Sequence, residues 1–179
     1  MYGHPEAWHR LCDHFSRIVG DYLVAQIEAG VDAVQVFDSW VGALSSADYR
    51  EFVLPHTRRI FDAIGGRVPT LHFGTGTAVL LQDLREAGGD VIGVDWRMPI
   101  DEAWTRIGFD RAIQGNLDPT LLLGPPRRML AAAQDILTRV DNRPGHIFNL
   151  GHGVQPDANP DALGAVVKHV HAKTASVTS

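Results

Sequence analysis

The 179-residue chain has a single cysteine, Cys12. One cysteine excludes an internal disulfide and any metal site built on several thiolates. Cys12 falls on an apolar helical pattern, so it reads as core packing rather than as a nucleophile. No apolar run approaches the ~20 residues that cross a bilayer, so no membrane partner is expected. The opening Met1-Tyr2-Gly3-His4-Pro5 has neither the basic start nor the apolar middle of a secretory leader, and a cytoplasmic location is expected. Positive charge is scarce: 16 Lys and Arg against 21 Asp and Glu leave a net charge of −5. Arg58-Arg59 and Arg127-Arg128 are isolated pairs, not a basic stripe, so no nucleic-acid partner is expected. The same balance gives no long-range pull on an anion, which would have to be held by local cations or backbone amides. Internal repeats and low-complexity linkers are missing too.

What is present is an alternation of helix and strand. Pro5 to Ala29 reads as a long helix, with Trp8, Leu11, Phe15, Ile18, Val19 and Tyr22 on the helical repeat and Gly30 as its stop. Val31 to Phe37 is apolar and β-branched, a buried strand ending at Asp38-Ser39. Ser46 to Ile64 reads as one helix, with Ser46 or Asp48 as cap and Gly65-Gly66 as stop. Strands follow at Val68 to Phe73, Val91 to Trp96, Arg111 to Gln114 and His146 to Asn149. Helices run to Ala87, from Asp101 to Ile107, from Pro126 to Val140 and from Asn159 or Asp161 onward. The class is therefore α/β with a parallel sheet. Five strands fall short of the eight of a closed parallel barrel, and the chain opens on a helix. Both facts suit the carboxyl-terminal half, about five βα units, of a (β/α)8 barrel. A single domain over residues 1–173 and a tail over 174–179 are expected.

Four strand ends carry polar groups, the layout of a barrel rim. They are Asp38-Ser39, His72 with Gly74-Thr75-Gly76, Gln114 to Pro119, and Asn149-Leu150-Gly151-His152-Gly153. Asp38-Ser39 reads equally as a cap and as a site. His72 lies within its strand and reads as a satisfied core histidine. Asn116 and Asp118 read as loop locks through turn hydrogen bonds. His152, between two glycines, has no helix or strand to stabilise and reads as functional. Gly74-Thr75-Gly76 lacks the third glycine of a dinucleotide fingerprint. His169 and His171 stand two apart on a helix and do not share a face for a metal.

Four of these stretches, in order and spacing, resemble the uroporphyrinogen decarboxylase family: Ala33 to Ser39, Val91 to Trp96, Gln114 to Pro119 and Asn149 to Pro156. The resemblance runs from about Pro5 to Lys173. It implies a (β/α)8 barrel acting as a homodimer in haem biosynthesis, with uroporphyrinogen III as tetrapyrrole substrate and coproporphyrinogen III as product. It implies no metal and no organic cofactor for this carboxy-lyase chemistry. It also implies that Ser39 donates a hydrogen bond to a substrate carboxylate, that His152 binds a carboxylate, and that Phe37 packs on the macrocycle. The family's amino-terminal Arg-Gln-Ala-Gly-Arg phrase, its central aspartate and the tyrosine ahead of the Pro5 helix have no match in this chain. No catalytic residue can therefore be assigned. A truncated product, inactive alone, is the expectation.

Two alternatives remain. One is a zinc-dependent corrinoid or thiol methyltransferase of the same superfamily. It needs a His-x-Cys strand end, where this chain has His72-Phe73-Gly74. The other is a half-barrel that binds tetrapyrroles without catalysis.

Overall fold

A computed structural model describes residues 1–174. Its elements alternate: α1 (Pro5–Glu28), β1 (Val34–Asp38), α2 (Ser46–Phe52), α3 (Leu54–Ile64), β2 (Thr70–Gly74), α4 (Leu81–Ala87), β3 (Val91–Gly93), α5 (Ile100–Ile107), β4 (Ala112–Leu117), α6 (Pro126–Val140), β5 (His146–Leu150) and α7 (Pro160–Thr174). The strands are hydrogen-bonded in sequence order, β1-β2-β3-β4-β5. β1 and β2 run parallel with Val34 opposite Thr70 and Asp38 opposite Gly74. β4 and β5 run parallel with Ile113 opposite His146 and Leu117 opposite Leu150. The expected α/β class with five parallel strands is what the chain forms. Two compact units divide it, Met1–Ile92 and a second beginning at Gly93. Thr174 closes α7, and residues 175–179 of the expected tail lie outside the described residues.

In the first unit, α1 packs on α3 through a face the apolar pattern selected only in part, through Val19. Leu11, Phe15, Ile18 and Tyr22 are exposed, while Ser16, Gly20 and Leu23 are buried. Small residues decide this. A β-carbon on Gly20 would stand 3.1 Å from Ala63 Cβ, so the small residue lets the two helices approach closely there. Leu23, Val34, Val36, Ile60 and Ile64 form one core cluster; Val41, Tyr49, Leu54, Leu80, Leu84 and Ala87 form another. The single helix expected over Ser46 to Ile64 breaks at Val53. Pro55, which lacks an N–H, then sits in the first turn of α3, where none is needed. The cap of α2 is Ser45, not Ser46: the Ser45 hydroxyl accepts from Asp48 N–H at 3.1 Å. Ser46 instead donates to Asp83 at 2.6 Å. Arg50 ties α2 to α4 through Asp83 and Glu86, each at 2.5 Å.

In the second unit, α5 and α6 bury Ile100, Trp104, Ile107, Met129, Ala133 and Val140, with Ile113 and Leu117 of β4 in the same interior. The Trp104 indole N–H donates to Arg111 O at 2.8 Å, so this large side chain is buried without an orphaned donor. α6 ends at Val140, as expected from its pattern, with Asp141 in the left-handed conformation (φ 50°).

Candidate functional site

The carboxyl end of β1 leads into a cleft of about 490 Å³ in the first unit, lined by Phe37, Asp38, Ser39, Trp40, Cys12 and His56 among others. Phe37 is 66% exposed and meets Phe73 of β2 edge-on, ring centroids 6.0 Å apart. Ser39 is half-buried, and its carbonyl accepts from the Thr75 hydroxyl. The glycines beside it have a packing reason. A β-carbon on Gly42 would lie 2.1 Å from Thr75 O, and one on Gly74 would lie 3.0 Å from Asp38 O. The Gly74-Thr75-Gly76 turn thus fits against the Ser39 turn, backbone on backbone, rather than around a phosphate. Trp40, 90% exposed, extends the aromatic lining, although the sequence marked it with nothing but its place beside Ser39.

Asp38 is an anchor as well as a wall. Its Oδ2 lies 3.2 Å from His72 Nε2, 3.4 Å from the Thr57 hydroxyl and 3.5 Å from the Tyr49 hydroxyl. His72 is fully buried, and its Nδ1 faces Leu84 O at 3.1 Å and Gly88 O at 3.2 Å. Carbonyl oxygens only accept, so Nδ1 carries a proton. His72 is the satisfied core histidine its position suggested, and it fixes the strand end that presents Ser39. Burial, followed by the negative charge of Asp38, pushes the Tyr49 phenol well above its ordinary range. Cys12 lies half-buried on the cleft wall, not in the core as its pattern suggested. Burial raises its thiol, which makes it a poor nucleophile. His56 Nε2 pairs with His9 Nδ1 at 2.9 Å, and its Nδ1 stands 2.9 Å from Asp13 Oδ1, an ion-pair distance without hydrogen-bond alignment. Burial outweighs that carboxylate and holds His56 below its ordinary value.

The second unit holds His152. It is exposed, and its ring stands edge-on to Trp96 with centroids 6.4 Å apart and planes at 89°. The Arg97 guanidinium carbon lies 4.2 Å from the Trp96 ring centroid, and Arg97 Nη1 bonds Asp95 Oδ2 at 2.5 Å. The flanking glycines differ. A β-carbon on Gly151 would fall 2.6 Å from Trp96 N, whereas one on Gly153 would meet open space. Asn116, expected to lock its own loop, instead locks the Asp95–Met98 turn, donating to Asp95 O at 2.8 Å and Met98 O at 2.7 Å. Asp118 is also a lock, accepting from Thr120 N at 2.9 Å. Burial lowers His146, whose Nε2 lies 3.0 Å from Gly115 O.

Phe37 and Ser39 thus lie together in the first unit, and His152 belongs to the second with Trp96 and Arg97. The first offers an aromatic lining and a hydroxyl; the second offers an imidazole and a guanidinium, groups that suit an anion. His72, with both ring nitrogens engaged and the ring sealed, is in no position to ligate zinc. Among the described residues, no group of three His, Cys, Asp or Glu is placed to hold a metal ion. No helix there is long and apolar enough to cross a membrane.

A family model described as uroporphyrinogen decarboxylase (URO-D) matches residues 1–173. Among curated relatives, the uroporphyrinogen decarboxylase of Chloroflexus aurantiacus is 52% identical over 175 residues, covering 95% of this chain and 49% of the relative. That of Streptomyces coelicolor is 51% identical, covering 97% and 49%. The chain spans about half the length of the curated relatives it matches. A solved methyltransferase from Methanosarcina mazei superposes with a TM-score of 0.78 over 88% of this chain and 47% of its own, at 21% identity. At that identity the likeness speaks for the fold alone.

Proposed function

Because this chain belongs to the uroporphyrinogen decarboxylase family, we propose that it supplies substrate-holding strand ends of that carboxy-lyase. The observation that carries the reading is the 52% identity to the Chloroflexus aurantiacus enzyme across nearly the whole chain. In the reaction each acetate side chain, –CH2–CO2⁻, takes up one proton and releases one CO2, leaving a methyl group. Protonating the pyrrole carbon makes the ring an electron sink. The electron pair of the C–CO2 bond flows into it, CO2 leaves, and the exocyclic carbon then takes a proton while the ring carbon loses one. The balance is one proton in and one CO2 out per acetate, with no cofactor required. What the protein must supply is grip on the carboxylates, stabilisation of the cationic ring and delivery of protons. Ser39 would donate to one substrate carboxylate, His152 would hold another, and Phe37 would lie against the macrocycle. In this reading the intact enzyme works as a homodimer in the cytoplasm. The 179-residue chain alone, with no match to the family's central aspartate, binds substrate without turning it over.

The test is binding of uroporphyrin, the fluorescent oxidised form of the substrate with the same carboxylates. A hydrogen bond to a charged group carries about 1.5–3 kcal/mol, so Ser39→Ala and His152→Ala should each weaken binding by roughly ten- to hundredfold. The readout is fluorescence quenching, with unchanged melting curves as the folding control. Wild-type affinity in both variants would remove these residues from the site.

A further inference from the structure

Arg97 stacks on the same Trp96 ring that His152 meets edge-on, and its setting is unusual for a surface arginine. Asp95, only 6% exposed, holds it twice: Oδ1 accepts from Arg97 N at 3.0 Å and Oδ2 from Nη1 at 2.5 Å. Trp96 then supports the guanidinium from below at 4.2 Å. A long flexible side chain is thereby fixed before any ligand arrives, which removes most of the ordering cost of a contact. Its second edge is open: among the described residues only Nη1 of the guanidinium is hydrogen-bonded, and the side chain is 51% exposed. The compensating carboxylate is buried while the cation faces outward, so the pair presents positive charge on its solvent side. His152 meets the same indole edge-on, 6.4 Å between centroids. One tryptophan therefore carries a guanidinium and an imidazole.

We propose that Arg97 is a carboxylate-binding residue of this site, and that Trp96 is the positioning residue that holds it beside His152. The inference rests on the tetrapyrrole reading for the identity of the substrate, not for the presence of the site. Arg97 presents the free edge of its planar fork to one carboxylate, and His152 takes a neighbouring one. Local cations of this kind are what a chain of net charge −5 needs to hold a polyanion.

The experiment uses the whole chain and two probes, succinate and uroporphyrin. Titration with succinate, followed by the Trp96 indole N–H and Arg97 Nε–H resonances, should shift both saturably. Arg97→Gln should weaken both probes about tenfold or more. Arg97→Lys should recover part of the loss, since it restores the charge but not the fork. It also keeps a cation on Asp95, which separates lost binding from a disturbed turn. Succinate shifts that bypass Trp96 and Arg97, or wild-type uroporphyrin binding in Arg97→Gln, would overturn the proposal. So would tighter binding of inorganic phosphate than of succinate. Succinate bound at Arg97 with no uroporphyrin binding by the wild-type chain would support the carboxylate site and overturn the tetrapyrrole reading instead.

Discussion

His72 and Gly151 show how single residues set the two strand ends. His72 faces two carbonyls at Nδ1 and the Asp38 carboxylate at Nε2, so removing that carboxylate leaves the fully buried His72 without its Nε2 partner. Truncating one member of a buried pair costs about 3–5 kcal/mol, and the 23% exposure of Asp38 reduces that. Asp38→Ala should therefore lower unfolding free energy by about 2 kcal/mol in urea titration. A loss under about 0.5 kcal/mol, the level of an ordinary surface substitution, would mean that Asp38 does not anchor the Ser39 turn. The two glycines around His152 look alike in the sequence but should behave differently. Gly151→Ala forces a β-carbon onto the Trp96 backbone and should cost about 1–3 kcal/mol, with weaker uroporphyrin binding. Gly153→Ala meets open space and should be silent in the same melts. Sequence reasoning gave both glycines one role because a contact across 55 residues of chain, from Gly151 to Trp96, leaves no local mark. It placed His72 correctly because a histidine inside an apolar strand has few other fates. It left Arg97 out because a charged residue after a strand end carries no periodic signal.

At the scale of the element, caps and burial are the levers. Ser45 and Asp48 form a reciprocal cap on α2, the hydroxyl also donating to Asp48 Oδ2 at 2.7 Å. Ser45→Ala should cost about 1 kcal/mol in thermal or urea unfolding. At the start of β5, burial holds His146 below its ordinary value of 6.5. The folded chain keeps this imidazole neutral where the unfolded chain already binds a proton. Its contribution is therefore complete above about pH 6.5 and is lost as the pH falls through and below that value. Urea midpoints at about pH 7.5 and about pH 5.5 should differ less in His146→Phe than in wild type. An equal difference would exclude His146 as a source of acid sensitivity. The alternation of strands with helices and the α6 boundaries were legible because apolar runs alternate with glycine and proline stops. The buried face of α1 was not, because Ser16 and Gly20 pack by being small, while the larger Leu11, Phe15, Ile18 and Tyr22 dominate any apolar pattern. The break at Val53 was hidden for a similar reason: Pro55 is compatible with a helix start, so the periodicity runs through it.

For the whole molecule, the apolar stripe left on α1 has a physical consequence. Leu11, Phe15, Ile18 and Tyr22 are between 49% and 63% exposed on one helical face, an association surface in water. Sedimentation of the 179-residue chain should show concentration-dependent self-association that Phe15→Glu with Ile18→Glu suppresses. A monomer at all concentrations would show the stripe to be inert. On the proposed reading, polar groups for a carboxylated ligand occur in both compact units, Ser39 in the first and His152 with Arg97 in the second, and the chain spans only about half the length of the relatives it matches. Uroporphyrinogen decarboxylase chemistry from this chain should then need residues it does not contain. The most direct test is anaerobic turnover of uroporphyrinogen III by this chain, alone and mixed with the stretch of the Chloroflexus aurantiacus relative that it does not match. Ser39→Ala and His152→Ala serve as paired variants. Coproporphyrinogen from the wild-type mixture, none from the chain alone, and at least about a tenfold loss in each variant are the predicted results. Turnover by the chain alone, or equal turnover by the wild-type and variant mixtures, would contradict the account.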